Sequence, residues 1–261
     1  MKKIFFVFKF IRFYFNSGNA HGLHSPFVFN FYINVVSPKK TYYCFSKIEQ
    51  LREELKNNKK NILFNDLGAG SQMNNSPSRK ISSIAKNAAK SPQVAQFLFK
   101  TILYFNPKNI FELGTSLGLT TSYLSMSKPE STITTFEGCP NLISIAKQNF
   151  TKLSLNNIHC VEGNIDETLK KNLELNTQID LVFFDANHRY ESTLKYFETC
   201  LMKATENSIF IFDDIHWSSE MELAWQEIKN HGNVTLTIDF FFLGFAFFRK
   251  AQPKQHFKLR L

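Results

Sequence analysis

The sequence predicts an α/β protein, a doubly wound and mostly parallel sheet preceded by a helical and irregular segment. Three observations predict it. From residue 108 onward, short apolar runs alternate with helical patterns, as expected for parallel strands joined by crossover helices. The last two apolar runs, VTLTIDF (234–240) and GFAFFRK (244–250), meet at a tight turn near Leu243–Gly244, and so short a connection allows only an antiparallel pair. Ahead of residue 108 the chain reads as helices and loops without a strand ladder.

MKKIFFVFKFIRFYF opens the chain as an amphipathic helix. Lys9 and Arg12 interrupt its apolar run and no small-residue cleavage site follows, which argues against a secretory leader. No stretch of about 20 apolar residues exists, so no membrane span is expected. The aromatic face is expected to pack on its own domain or on a twin subunit of a homodimer, with lipid or another partner as the alternative. Phe240–Phe242 carry the same choice.

NSGNAHGLHSPF (16–27) is a polar loop between aromatic anchors, a candidate lid. Its His21 and His24 have no acid beside them and read as hydrogen-bonding caps rather than metal ligands. In SKIEQLREELKN, Ser46 and Glu49 have capping-box spacing. SPQVAQFLFKTILYF (91–105) has Ser91 as N-cap and Pro92 at the first helical position. NIFEL (109–113), STITTFEG (131–138), NIHCVEG (157–163), IDLVFFD (179–185) and NSIFIFDD (207–214) then read as strands, each followed by a helical pattern. The domain boundary is placed at 91/92, with a cap over 1–91 and the α/β domain over 92–261.

The formal net charge is +9, from 31 basic and 22 acidic residues. Such a balance can attract nucleic acid, but the lysines are scattered without a like-charge run, so nucleic acid is not the expected partner. Cys44, Cys139, Cys160 and Cys200 have neither C-x-x-C nor zinc-site spacing. Free thiols of this kind suit a reducing, cytoplasmic setting.

Two glycine-rich turns compete for a ligand. NDLGAGS (65–71) lacks a following helix and reads as a loop, one that borders the active site in the alternative reading. FELGTSLGLTT (111–121) sits between a strand and a helix, where open parallel sheets bind ligands. Glu137 ends the next strand, and a carboxylate there can accept both ribose hydroxyls of an adenosine-containing cofactor. That arrangement fits a dinucleotide or S-adenosylmethionine (SAM). The G-x-x-x-G spacing favours SAM, as does Glu112, which would repel a pyrophosphate and suit a cationic ligand. No Walker lysine is present for a nucleoside triphosphate.

ELGTSLGLTT, FEG, EGNIDETL, DLVFFDANHRYESTLKYFE and IFIFDDIHW, in that order, resemble the class I SAM-dependent methyltransferases. More narrowly, they resemble small-molecule O-methyltransferases of the catechol type and the macrolide and aminocoumarin sugar O-methyltransferases. The likeness covers about residues 92–250, and HGLHSPFVF is similar to a group of bacterial proteins of the same superfamily. It implies a Rossmann-like seven-stranded sheet with an antiparallel last strand. It also implies that Glu112, Gly114, Thr115, Ser116 and Gly118 line the methionine end and the turn. Glu137 would take the ribose, Asn164 and Ile165 would contact adenine, and Asp185 would stand at the boundary of cofactor and substrate.

Asp185, Asp213 and Asp214 end neighbouring strands, and hard oxygen donors suit Mg²⁺ or another divalent cation. Metal-dependent relatives place acids in this pattern; the alternative is that Asp185 orients the cofactor while Asp213–Asp214 cap a helix. His188 stands near where the catechol-type enzymes carry a basic lysine, and an imidazole can deprotonate a hydroxyl near neutral pH, with Asp185 beside it; otherwise His188 caps the following helix. His216 and Trp217 form the substrate wall or are packing residues. The expected reaction is transfer of the SAM methyl to a hydroxyl of a small molecule. An RNA methyltransferase and a non-catalytic cofactor-binding module are the alternatives.

Overall fold

The structure, a computed structural model, describes residues 2–19, 22–63, 78–176, 178–250 and 252–261. It divides into two compact units, one of Met1–Pro38 with Thr177–Leu261 and a central one of Lys39–Asn176. The cuts fall at 38/39 and 176/177, whereas the sequence placed its boundary at 91/92. No helix among the described residues is long and apolar enough to cross a membrane.

The first unit begins with α1 (Lys2–Asn16) and α2 (Pro26–Phe31), the latter continuing into a π-helical turn at Tyr32–Val36. Ser25 caps α2, its Oγ accepting the Val28 N–H at 3.4 Å, and Pro26 supplies the preset first-turn φ.

The central unit follows with α3 (Tyr43–Asn57), β1 (Asn61–Leu63), β2 (Ser78–Lys80), α4 (Ile81–Asn87) and α5 (Pro92–Phe105). Helix α3 starts three residues before the expected cap. Ser46 is therefore inside it, donating to the Tyr43 carbonyl, and Glu49 is no capping-box partner. Glu49 instead accepts from Arg52 Nε at 2.9 Å and from the buried Tyr123 hydroxyl at 2.7 Å. Arg52 is only 2 % exposed, and the Lys90 carbonyl accepts from its Nη1. The expected cap and proline of α5 are both in place, with Val94 N–H bonded to Ser91 Oγ. Strands β1 and β2 form a short antiparallel ladder, correcting the reading of this segment as free of ladders. Three-residue strands are too short to leave a periodic signal. The NDLGAGS turn lies outside the described residues.

Then come β3 (Asn109–Leu113), α6 (Leu119–Ser127), β4 (Thr132–Glu137), α7 (Pro140–Lys152), β5 (Ile158–Glu162) and α8 (Ile165–Glu174). β4 pairs in parallel with both β3 and β5, Phe136 lying opposite Leu113 and Val161. The apolar positions Ile110, Leu113, Ile133 and Phe136 are buried.

The first unit resumes with β6 (Ile179–Phe184), α9 (Tyr190–Leu201), β7 (Ala204–Asp213), α10 (Ser219–Asn230), β8 (Leu236–Asp239), β9 (Leu243–Phe247) and β10 (Gln255–Lys258). β6 and β7 are parallel, β9 is antiparallel to both β7 and β8, and β10 is parallel to β8. The fold is thus a mostly parallel α/β arrangement with an antiparallel strand near its end, as expected. β10 is a strand beyond the expected seven.

The turn between β8 and β9 is Phe240–Phe242, ahead of the expected Leu243–Gly244. Phe241 takes φ 72° there, and Asp239 Oδ1 accepts its N–H at 2.8 Å. A bulky residue in the left-handed region costs on the order of 1–3 kcal/mol. Burial offsets this. The Phe6, Phe10 and Phe13 rings of α1 stand 5.2, 5.0 and 5.3 Å from the Phe241 ring. One face of α1 therefore packs on its own unit.

Candidate functional site

The glycine turn leaves β3 at Leu113 and enters α6 at Leu119. Gly114 takes φ 104°, open to glycine alone at little cost, and the N–H groups of Gly114 and Thr115 both donate to the Phe136 carbonyl. Glu137 ends β4 as the sequence implied. Its Oε2 accepts the Ser116 N–H at 2.8 Å and its Oε1 the Cys139 N–H at 2.9 Å, so this carboxylate stitches the turn to the next strand end. Gly114, Ser116 and Glu137 are part-exposed, whereas Thr115 and Gly118 are buried.

Glu112 does not lie on the surface of the turn. It is fully buried, and its Oε2 accepts the Thr121 hydroxyl at 2.5 Å and the Thr135 hydroxyl at 2.6 Å. Thr135 also shares a 2.6 Å hydroxyl contact with Thr115. Glu112 is thus a strut beneath the turn, joining β3 to β4 and α6. Threonines at 121 and 135 carry no motif, so sequence reasoning missed them.

Gly118 serves packing. At φ 76° it is the N-cap of α6, and a Cβ there would stand 2.5 Å from the Phe150 ring of α7. Gly118→Ala is expected to destabilise the protein by about 2–4 kcal/mol, from backbone strain plus overpacking. Urea unfolding measures this, and a Phe150→Ala background, which opens the space, is expected to reduce the cost to about 1 kcal/mol.

Asn164 caps α8, its Oδ1 accepting the Asp166 N–H at 3.0 Å, with Ile165 opening the helix behind it. Both are part-exposed.

The acids belong to the first unit. β6 and β7 pair with Phe184 opposite Phe212, so Asp185 and Asp213 leave adjacent strand ends side by side. Asp185, His188 and Asp213 each bring one donor atom within 4.8 Å of the others. His188 Nε2 lies 3.6 Å from Asp185 Oδ1. The chain reaches this geometry through two consecutive left-handed residues, Asn187 at φ 62° and His188 at φ 24°. Asn187 anchors the turn by donating to Ser192 Oγ at 2.9 Å. Asparagine tolerates this backbone region, a signal in D-A-N-H that the sequence reading passed over.

Asp214 is not part of the convergent set among the described residues. It takes φ 54°, its N–H donating to the Phe242 carbonyl at 2.7 Å. The helix-cap readings also fail. Ser218 caps α10, its Oγ accepting the Met221 N–H, and α9 begins after Arg189 without a side-chain cap. His216 is held in packing, its Nε2 2.9 Å from Asp239 Oδ2 and its Nδ1 3.2 Å from Glu222, with the ring stacked on Phe241. Trp217 is 58 % exposed, its ring 6.1 Å from that of Phe6.

Of the candidate lid, His21 lies outside the described residues and His24 is exposed. Gly18 is tied down, its N–H bonded to the Lys258 carbonyl at 2.8 Å.

Residues 111–215 match the family described as "Methyltransferase domain". That span opens at the glycine turn and closes just past the acids. No curated protein sequence matches it. Among solved structures it is similar to the SAH-bound Podospora anserina methyltransferase PaMTH1, at 15 % identity and a TM-score of 0.61, covering 84 % of this chain and 93 % of that one. It is also similar to the Bacillus cereus O-methyltransferase in complex with SAH, at 16 % identity and a TM-score of 0.57, covering 82 % and 95 %. The Streptomyces achromogenes O-methyltransferase TomG, from tomaymycin synthesis and in complex with SAM, follows at 14 % identity and 0.57, covering 80 % and 91 %. At these identities the likeness is one of fold.

Proposed function

We propose that this protein is a SAM-dependent O-methyltransferase acting on a hydroxyl of a small molecule. The observation that carries the acceptor chemistry is the convergence of Asp185, His188 and Asp213 at adjacent strand ends. The SAM and SAH complexes of the two O-methyltransferase neighbours support the cofactor.

The donor set fits that cofactor. Two backbone N–H groups fix the Glu137 carboxylate at the end of β4, and a carboxylate held there can accept ribose hydroxyls. Gly114, Thr115 and Ser116 form the turn at the methionine end, and the buried Glu112 beneath it favours a cationic ligand above. Asn164 and Ile165 stand for the adenine. Bound SAM supplies an electrophilic methyl group. The protein has to hold the acceptor oxygen in line and take its proton, and positioning is the larger part of the acceleration.

Asp185, His188 and Asp213 would hold a divalent cation. Two carboxylates suit Mg²⁺ or Mn²⁺, and the imidazole tilts the set towards a first-row transition metal. A cation there would lower the hydroxyl pKa. The 3.6 Å approach of His188 to Asp185 favours a second, metal-free reading, in which Asp185 orients His188 as general base.

The test is a panel of phenols, sugars and other hydroxylated small molecules, assayed for SAH release with and without chelator. SAH release with a methyl ether as product is the expected result. N-methylated or RNA products, or SAM binding without turnover across the panel, would reject the O-methyltransferase reading.

A further inference from the structure

We propose that the outer face of α1 is a docking surface for a bilayer carrying anionic headgroups. The helix has two apolar faces. At about 100° per residue, Phe6, Phe10 and Phe13 share one side, the side that covers Phe241. Val7, Phe8, Ile11, Tyr14 and Phe15 form a second stripe along the adjoining side, and all five are exposed, Phe8 at 66 % and Phe15 at 77 %. The exposed Trp217 ring lies against Phe6.

Charge decides what covers the stripe. Arg12 adjoins the stripe on the helix surface, and α1 contains no acid, while Lys9 on the other side is paired with Glu222. The Arg260 guanidinium adds a cation 4.3 Å above the Tyr14 ring. The whole chain carries +9. A cation-bordered stripe of large apolar and aromatic side chains is complementary to an anionic membrane surface, where Trp and Tyr favour the headgroup level. A second copy of this chain would set like charges against each other along the same stripe.

The helix is also held ready. Lys9 Nζ is 2.7 Å from Glu222 Oε2, and Arg260 Nε donates to the Tyr14 carbonyl at 3.1 Å. Docking therefore leaves the inner face in place. The Phe240–Phe242 turn beneath α1 is the one whose Phe242 carbonyl accepts from Asp214, next in sequence to Asp213.

The full-length protein is to be sedimented with vesicles of phosphatidylcholine alone and of phosphatidylcholine mixed with phosphatidylglycerol. Binding is expected to the mixed vesicles, to weaken with added salt, and to be at least about tenfold poorer on phosphatidylcholine alone. A triple variant, Phe8→Gln, Ile11→Gln and Phe15→Gln, keeps helix propensity and leaves the inner face intact, so its thermal melt should match that of the parent. It is expected to lose at least about tenfold in partitioning. Arg12→Glu should lose most of the preference for the anionic vesicles. The proposal is overturned if the parent ignores both vesicles or if the triple variant binds as well as the parent. It is equally overturned if light scattering shows a dimer that the triple variant dissociates, which would make a second copy the occupant.

Discussion

Glu137→Ala is expected to weaken SAH binding about a hundredfold, as read by titration calorimetry, because two ribose hydroxyls lose a charged acceptor worth a few kcal/mol. The loss has a second source. Glu137 holds the Ser116 and Cys139 N–H groups, so the turn itself loosens when the carboxylate is removed. Glu137→Gln separates the two. Its carbonyl keeps one acceptor, while its amide N–H₂ faces a backbone donor, so it should fall between alanine and the parent. Unchanged SAH affinity in the alanine variant would remove Glu137 from the cofactor site and leave it a loop tie.

Asp213→Asn is expected to lower turnover by about 10²–10³-fold while leaving SAH affinity within about threefold. Asparagine is the right probe because Asp213 is 2 % exposed, and alanine would add a cavity to the lost charge. Steady-state kinetics with calorimetry on the same preparation reads both numbers. Under the cation reading, chelator silences the parent and the variant no longer responds to added metal. Under the metal-free reading chelator changes nothing, and His188→Ala carries the larger loss with an altered pH profile. A variant with full turnover would exclude the cluster from the chemistry under either reading.

Much of this protein is legible in its sequence because the signals are local. Alternating apolar runs marked β3 through β9, Ser91 and Pro92 marked the start of α5, and two glycines between a strand and a helix marked the turn. The acid at the end of β4 needed only the strand boundary. One error came from tertiary contacts. Ser46 with Glu49 fits a capping box, yet the helix begins at Tyr43, where Phe45 packs on Tyr42 and Phe99, and Glu49 is claimed by Arg52 and Tyr123.

The sequence by itself determined the α/β class, the strand order along the chain, the glycine turn and the residue types at the strand ends. These depend on periodicity and backbone preference, which neighbouring residues express without help. Only the tertiary structure decided which way each functional side chain faces. It turned Glu112 inward onto Thr121 and Thr135, gave Gly118 to the Phe150 ring, and drew His188 to Asp185 and Asp213, with Asp214 outside that set. β7 ends at Asp213 and Asp214 follows it at φ 54°, outside the strand, so the choice between the two acids rests on what packs behind each. For Asp214 that is the Phe240–Phe242 turn, whose backbone carbonyl takes its N–H and whose central ring is buried beneath a helix more than two hundred residues away in the chain.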